Sequence, residues 1–121
     1  MMNKNKIKPL LPSLREKKRY LAFEIISKTK IDDFTAVENT IKESVLRFLG
    51  ESGMAKAGVL FLADKYNKDK QKGIIRVSHK YVNELRASLA LIQKINNQDV
   101  IVRSIGLSGI LKKAVEKYIA S

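Results

Sequence analysis

The residue types that carry most enzyme chemistry are sparse in this sequence. Cysteine is absent, which excludes disulfides, zinc–thiolate sites and cysteine nucleophiles. The one histidine, His79, stands where a predicted strand passes into a predicted helix, and such a residue is more often a cap or a surface side chain than a general base. The 12 Asp and Glu residues are scattered, whereas metal nucleases gather several carboxylates around two ions. We therefore predict no catalytic residue and no metal site.

The segment GLSG at residues 106–109 is the nearest approach to a phosphate-binding loop. It lacks the length and the lysine of a P-loop. Ser108 and Gly109 nevertheless precede a predicted helix, whose first amide groups could hold one backbone phosphate. Ordinary capping of that helix by Ser108 explains the same residues more simply, and both interpretations stay open.

Positive charge is the strongest chemical feature of the chain. Lys and Arg number 24 against 12 Asp and Glu, a formal net charge of +12 at pH 7 over 121 residues. A small domain with this charge typically binds nucleic acid. An anionic membrane would favour a basic amphipathic helix with bulky apolar anchors, and tryptophan is absent. The densest basic segment, Arg15 to Arg19, directly precedes an apolar run, so the core should fix its position.

The sequence also predicts where the protein works. No apolar run approaches the length of a membrane span, and the basic N-terminus MMNKNKIKPLLP has no apolar signal core. Without cysteine or an export signal, we expect a cytoplasmic protein with no membrane partner.

Hydrophobic periodicity predicts the elements that must position these residues. From Tyr20 to Ser27 the chain alternates as a strand does, with Leu21, Phe23 and Ile25 on one side. The predicted order is a strand at 20–27, a helix from 32 to Gly50, strands at 59–63 and 73–78, a helix from Ser78 to Asn97, a strand at 99–105 and a helix from Ser108. The buried stripe of the first helix is predicted as Phe34, Val37, Ile41, Val45 and Phe48. The segment DKYNKDKQKG, residues 64–73, is predicted to be a polar turn with Tyr66 as its only apolar anchor.

This order predicts an α+β fold of the split βαβ type, ferredoxin-like or RNA-recognition-motif-like. An antiparallel sheet carries helices on one face, with an extra C-terminal helix. We predict a basic arm at residues 1–12 and a single sandwich domain at 13–121. RNA-recognition motifs stack bases on aromatic side chains of the first and third strands. The third strand here offers only Ile74, Arg76 and Ser78, so we do not expect base stacking on the sheet.

Three segments, in matching order and spacing, resemble archaeal ribonuclease P protein component 2, the homologue of the POP-type small subunit of ribonuclease P and ribonuclease MRP. They are LPSLREKKRYLAFEI at 11–25, GIIRVSHKYVNELRASLALIQKIN at 73–96 and VRSIGLSGILKKA at 102–114. One departure is Ile110, where the family usually has Thr. Any cap or phosphate contact from that hydroxyl is therefore lost here, although Ser108 remains.

The resemblance implies a non-catalytic protein subunit of ribonuclease P, in which the RNA subunit removes the 5′ leader from precursor tRNA with Mg²⁺. The protein itself would bind no cofactor. Its implied partners are the RNase P RNA, precursor tRNA, the thirty-kilodalton barrel-type protein (component 3) and other RNase P proteins, including a homodimer within a heterotetramer. The alternative is a ribosomal or other structural RNA-binding protein of the same fold, and a stand-alone nuclease is a third, weaker interpretation.

Basic residues near the first strand and near the last helix are the predicted contacts with RNA phosphates. The predicted RNA-binding residues are Arg15, Lys17, Lys18, Arg19, Arg76, Lys80, Ser108, Gly109, Lys112 and Lys113. The short apolar segment VLFLA is a candidate edge strand, so Leu60 and Leu62 are the predicted contacts with a protein partner.

Overall fold

A five-stranded sheet, with every neighbouring pair antiparallel, runs through residues 17–120, the part of the chain that the computed structural model describes. The strands are β1 (Lys18–Ser27), β2 (Leu60–Phe61), β3 (Lys72–Ser78), β4 (Lys94–Ile95) and β5 (Gln98–Ser108), in the spatial order β2-β3-β1-β5-β4. The helices are α1 (Phe34–Ala57), α2 (Val82–Ala90) and α3 (Leu111–Ala114, continued by the π-helical segment Val115–Ile119). The predicted split βαβ fold is confirmed, with β4 as an additional short strand. The predicted arm at residues 1–12 and the predicted RNA-binding residue Arg15 lie outside the described residues.

Strand β1 is the middle strand of the sheet, and both of its faces are covered along most of its length. Leu21, Phe23 and Ile25 lie in the main core, under α1 and α2, as the alternation predicts. Ala22 faces the other way and is fully buried in a second cluster beneath α3. Each large side chain buried in this way contributes about 1.5–3 kcal/mol of transfer free energy. None of the helices in this part of the chain has the length and apolarity needed to cross a membrane.

Helix α1 consists of two helical segments that meet at Gly50, so the predicted stop marks the end of the first segment. The carboxylate of Asp33 caps its start by accepting a hydrogen bond from the Ala36 amide at 3.1 Å. Gly50 has φ 75° and ψ 172°, which only glycine adopts readily, and the chain then returns to helix. The helix ends at Gly58, whose left-handed φ of 59° forms the C-cap. The segment ESGMAKA, predicted as a connection, is therefore helical.

The buried stripe of α1 follows steps of four residues. Val37, Ile41 and Val45 are buried, and Leu49 packs against the same core. The predicted burial of Phe48 is wrong, since that side chain is 45% exposed. Phe48 and Leu49, three and four residues after Val45, both fit the helical period in the sequence. In the structure it is Leu49 that faces the core.

A hairpin replaces the predicted end of the second helix. Helix α2 stops at Ala90, and the chain then forms β4. Asn96 and Asn97 have φ values of 54° and 65°, as expected for a two-residue type I′ turn between β4 and β5. Asparagine tolerates positive φ, so the Asn–Asn pair is a hairpin signal.

The polar turn before β3 has two anchors in the core. The Tyr66 ring packs among three phenylalanines, and burial raises the pKa of Tyr66 to about 12. Gln71 is also buried. Its side-chain amide donates to the Ile25 carbonyl at 2.9 Å and accepts from the Ile31 amide at 2.7 Å. Tyr66 is thus the apolar anchor, as predicted, and Gln71 adds a polar anchor that apolar periodicity does not reveal.

Helix α3 packs on the second face of the sheet. Its residues Ala114 and Ile119 are buried there with Ile74. The Tyr118 ring lies directly on Gly106, where a side chain would collide with it. A bulge in β5, where the pairing with β1 shifts by one residue, adds a local twist beside this contact.

Replacing Gly106 with alanine should loosen α3. The added Cβ would fall within the Tyr118 ring, and overpacking of this kind costs about 1–3 kcal/mol. We expect Gly106→Ala to lower the free energy of unfolding in urea by that amount. Gly109→Ala is the control, because its Cβ would meet only the flexible Arg19 guanidinium, at 3.4 Å. Equal stability of the two variants would show that Tyr118 does not hold the helix in place.

The start of α3 lacks a side-chain cap. Ile110 occupies the N-cap position with φ −128° and ψ 122°, and its side chain makes no capping hydrogen bond. That backbone conformation suits Ser, Thr, Asp or Asn, whose oxygen accepts from the first helical amides. The departure from the family's Thr therefore falls on the capping residue.

Substituting Ile110→Thr should stabilise the protein. Ile110 is 51% exposed, so little burial is lost, and a new N-cap hydrogen bond is worth about 1 kcal/mol. We expect a higher Tm for Ile110→Thr and no such increase for Ile110→Val, which has the same branching and no hydroxyl. A Tm that rises equally in both variants would point to side-chain shape instead of capping.

Candidate nucleic-acid interface

Three strand ends meet where β1 begins. Because its neighbours are antiparallel, Lys18 pairs with Ser78 at the end of β3, and Tyr20 pairs with Ser108 at the end of β5. The His79 amide donates to the Lys17 carbonyl at 3.0 Å and extends this ladder by one residue. We call this region the basic end of the sheet, and it contains the predicted residues Lys17, Lys18, Arg19, Lys80, Ser108 and Gly109.

Strand alternation separates the two cations that begin β1. Neighbouring side chains of a strand point to opposite faces, so Lys18 and Arg19 diverge. A Cβ on Gly58 would lie 3.4 Å from the Lys18 amine, and a Cβ on Gly109 would lie 3.4 Å from a terminal nitrogen of Arg19. The basic segment therefore spreads its charges over both sides of the sheet end.

Lys56 joins this region although sequence reasoning missed it. It lies in the last turn of α1, two residues before the Gly58 cap beside Lys18, and it is exposed. The prediction ended the helix at Gly50, so Lys56 fell in a supposed loop. The signal was the KAG sequence at 56–58, since a lysine shortly before a glycine C-cap is typical of helix ends.

Arg76 lies on β3 two residues before Ser78, on the face of the sheet that carries α3. It sits between Tyr20 of β1 and Leu60 of β2 in the strand register. Its stem is partly covered, and its Nε is buried without a hydrogen-bond partner among the described residues. The terminal guanidinium nitrogens are the part of this side chain that remains for an acceptor.

The proposed phosphate cradle at GLSG is not a helix N-terminus. Residues 106–108 continue β5, and α3 begins only at Leu111. The Ser108 hydroxyl accepts from the Ile110 amide at 3.1 Å and so forms a local turn without capping the helix. Pairing with β1 keeps this segment extended, so both interpretations of Ser108 as part of the helix start are wrong. Contacts of Ser108 and Gly109 with RNA stay a prediction.

The lysines of α3 are exposed beside this region. Lys112 and Lys113 both face solvent. Lys112 lines a depression of about 320 Å³ together with Lys65 and Glu116. The helix thus adds two cations to the surface that continues from the basic end.

Several cations of this surface lack the ion pairs that neutralise some of the basic residues elsewhere in the described chain. Elsewhere Lys30 pairs with Asp69 at 2.9 Å, and Lys94 with Asp99 at 2.7 Å. The Lys30–Asp69 hydrogen bond raises the pKa of the lysine and lowers the pKa of the carboxyl group. Lys17, Lys18, Arg19, Lys112 and Lys113 form no ion pair within residues 17–120, a property that they share with Lys28, Arg47, Lys68 and Lys72, and what sets them apart is their position near the start of β1 and on α3. Uncompensated cations held on a folded core suit a polyanion.

Catalytic geometry does not assemble around His79. The side chain is exposed, and no group of three His, Asp or Glu side chains that could hold a metal ion occurs in the described part of the chain. The exposed cations of the basic end have the charge needed to bind phosphates.

The two predicted partner contacts behave differently. Strand β2 is an edge strand of the sheet, as predicted. Leu60 is 44% exposed, whereas Leu62 packs against the second core beneath α3. A substitution of Leu62 would therefore test packing, and only Leu60 remains suited to test a contact with another protein.

Comparison with known proteins extends over nearly the whole chain. It is 42% identical over 117 residues to "Ribonuclease P protein component 2" of Pyrococcus abyssi, covering 95% of each chain. Its identity to the protein of the same name from Methanobrevibacter smithii is 40% over 121 residues, with coverage of 94% and 98%. A chain in a cryo-EM structure of yeast ribonuclease MRP aligns with a TM-score of 0.47 and 17% identity, over 78% of this chain and 75% of that chain. The model of the Rpp14/Pop5 family matches residues 19–119, and the chain therefore belongs to the Rpp14/Pop5 family.

Proposed function

We propose that the chain is a protein subunit of ribonuclease P, the ribonucleoprotein that removes the 5′ leader from precursor tRNA, and that its basic end binds and stabilises the catalytic domain of the RNA subunit. The proposed RNA contact is supported by the clustering, where β1 begins, of cations that have no carboxylate partner. The relatives named ribonuclease P protein component 2 support the assignment to that particle.

Rigid attachment of the charges to the core explains how a small protein could stabilise a folded RNA. Bringing RNA segments together concentrates phosphates, and Lys and Arg reduce the repulsion and release counterions. Lys18 and Arg19 belong to a strand whose next four residues include three that are fully buried. Their backbone positions are therefore fixed, and the phosphates they neutralise lie at defined places. The Mg²⁺ ions of the reaction would be held by the RNA.

The salt dependence of RNA binding tests the fixed contacts. The test variant replaces Lys17, Lys18, Arg19 and Lys112 with Gln, which removes the charge and keeps a polar side chain. Each lost phosphate contact reduces the log–log salt slope by about 0.7–0.9. We therefore expect the slope to fall by about 3 units for binding to RNase P RNA.

The control variant removes the same number of charges from ion-paired sites, by changing Lys30, Lys42, Lys65 and Lys94 to Gln. Each of these lysines has a carboxylate within 4 Å, and exposed pairs of this kind add little stability. We expect a clearly smaller change in slope. Equal slopes in the two variants would mean that only net charge matters, and the proposed contacts at the basic end would be wrong. Sequencing the RNA that co-purifies with the chain separates RNase P RNA from a ribosomal RNA.

The purified protein should cleave no RNA by itself, and His79→Ala should leave the activity of the reconstituted particle within a few-fold of the parent. The reason is the exposed position of His79 without a metal cluster in residues 17–120. Precursor tRNA cleavage at saturating Mg²⁺ measures both. A loss of about 10²–10⁴-fold with folding intact, as for a deleted general acid or base, would contradict this view.

A further inference from the structure

Helix α3 leaves one part of the second sheet face uncovered. Ile26 of β1 and Ile101 of β5 lie directly opposite each other in the register. They are 42% and 60% exposed. Directly opposed residues of antiparallel strands have adjacent side chains, so the two isoleucines form one apolar patch. Ile26 in this patch is eight residues after Lys18 on β1, which corresponds to about 26 Å at the usual rise per residue.

A groove accompanies these isoleucines. It has a volume of about 520 Å³ and is lined by residues 26–28 at the end of β1 and residues 97–101 at the start of β5. Aliphatic side chains offer no aromatic face for a base and no donor for a phosphate. The isoleucine part of the groove therefore suits an apolar side chain of a protein, and the lining also contains Ser27, Lys28, Asn97 and Gln98, whose polar ends can contact polar groups of the same partner.

The rim of the groove carries a small net positive charge, because Lys28 has no ion pair among the described residues and the other charges are paired. Lys28 lies in the lining and is exposed. Arg103, two residues from Ile101, is held in place by Glu24, with nitrogen–oxygen distances of 2.6 and 2.7 Å, and remains 60% exposed. Asp99, the acid in the lining, already pairs with Lys94 at 2.7 Å. Acidic side chains on a partner would complement this rim.

A second copy of the chain fits this surface poorly. It would present the same net positive rim, and the formal net charge of +12 per chain adds long-range repulsion. A different protein with acidic side chains avoids both costs.

We propose that the groove docks an acidic segment of another protein of the ribonucleoprotein, which packs an aliphatic side chain against Ile26 and Ile101. The location within that particle rests on the proposed function; the chemistry of the segment does not. RNA and protein neighbours would then occupy opposite ends of the same sheet.

Hydroxyl-radical footprinting measures this contact. The side chains of Ile26 and Ile101 are followed by mass spectrometry in the full chain alone, with RNase P RNA, and with the purified remaining protein subunits of ribonuclease P. We expect protection of both isoleucines by the proteins and none by the RNA alone. Affinity for the protein subunits is then measured for Ile101→Asp. Leu91→Asp is the control, because Leu91 is 62% exposed and lies at the end of α2, away from the groove.

Ile101→Asp should weaken binding of the protein subunits by roughly 10- to 100-fold, as expected for an apolar anchor at an interface. Leu91→Asp should change it less than about 3-fold, since exposed side chains outside the contact contribute little. Unchanged thermal unfolding and an unchanged salt slope for RNA show that the fold and the basic end are intact.

Several results would overturn the docking surface. They are normal protein binding by Ile101→Asp, absence of any binding by the parent chain, protection by RNA alone, and a dimer of the chain that Ile101→Asp abolishes in analytical ultracentrifugation. Because the RNA salt slope is measured separately, failure of the groove is distinguishable from failure of the proposed function.

Discussion

The position of β1 between two partner strands is the constraint on which the rest of the molecule depends. It pairs with β3 from Lys18 to Glu24 and with β5 from Tyr20 to Ser27, so most of its backbone is satisfied on both edges. Its side chains enter two cores, one under α1 and α2 and one under α3. A slip of one residue would move every side chain to the other face. It would force Glu24 toward the main core and exchange the directions of Lys18 and Arg19. The same register therefore sets the packing and the placement of charge.

Apolar periodicity predicted those parts of the fold in which burial decides the structure. The alternation at Leu21, Phe23 and Ile25 and the burial of Val37, Ile41 and Val45 appear in the structure as expected. Backbone chemistry that lacks an apolar pattern was missed. Gly50 breaks α1 and allows it to resume. The Asn96–Asn97 pair was read as a helix end, although two residues that tolerate positive φ also form a hairpin turn.

The sequence predicted which residues belong to the candidate site better than it predicted how they are arranged in space. The cluster from Lys17 to Arg19 and Lys80 lies together because the strands on either side of β1 are antiparallel, and the predicted fold implies this. The divergence of Lys18 and Arg19 also follows from strand alternation. The position of Lys56 depends on a helix continuing past a glycine, and the covering of Leu62 depends on where α3 packs. Neither follows from local sequence, because both are set by contacts between distant segments.

The hydrogen bonds made by Gln71 have a consequence for motion within the folded state. Its main-chain carbonyl accepts from the Ile25 amide at 2.8 Å, and its side chain accepts from the Ile31 amide at 2.7 Å. One residue thus holds the end of β1, the segment that leads into α1 and the turn that leads into β3. Local openings occur in cooperative units with their own free energies. The amide protons of Ile25 and Ile31 should therefore exchange with solvent through one shared opening, and the lysine-rich turn becomes mobile only when the end of the central strand does.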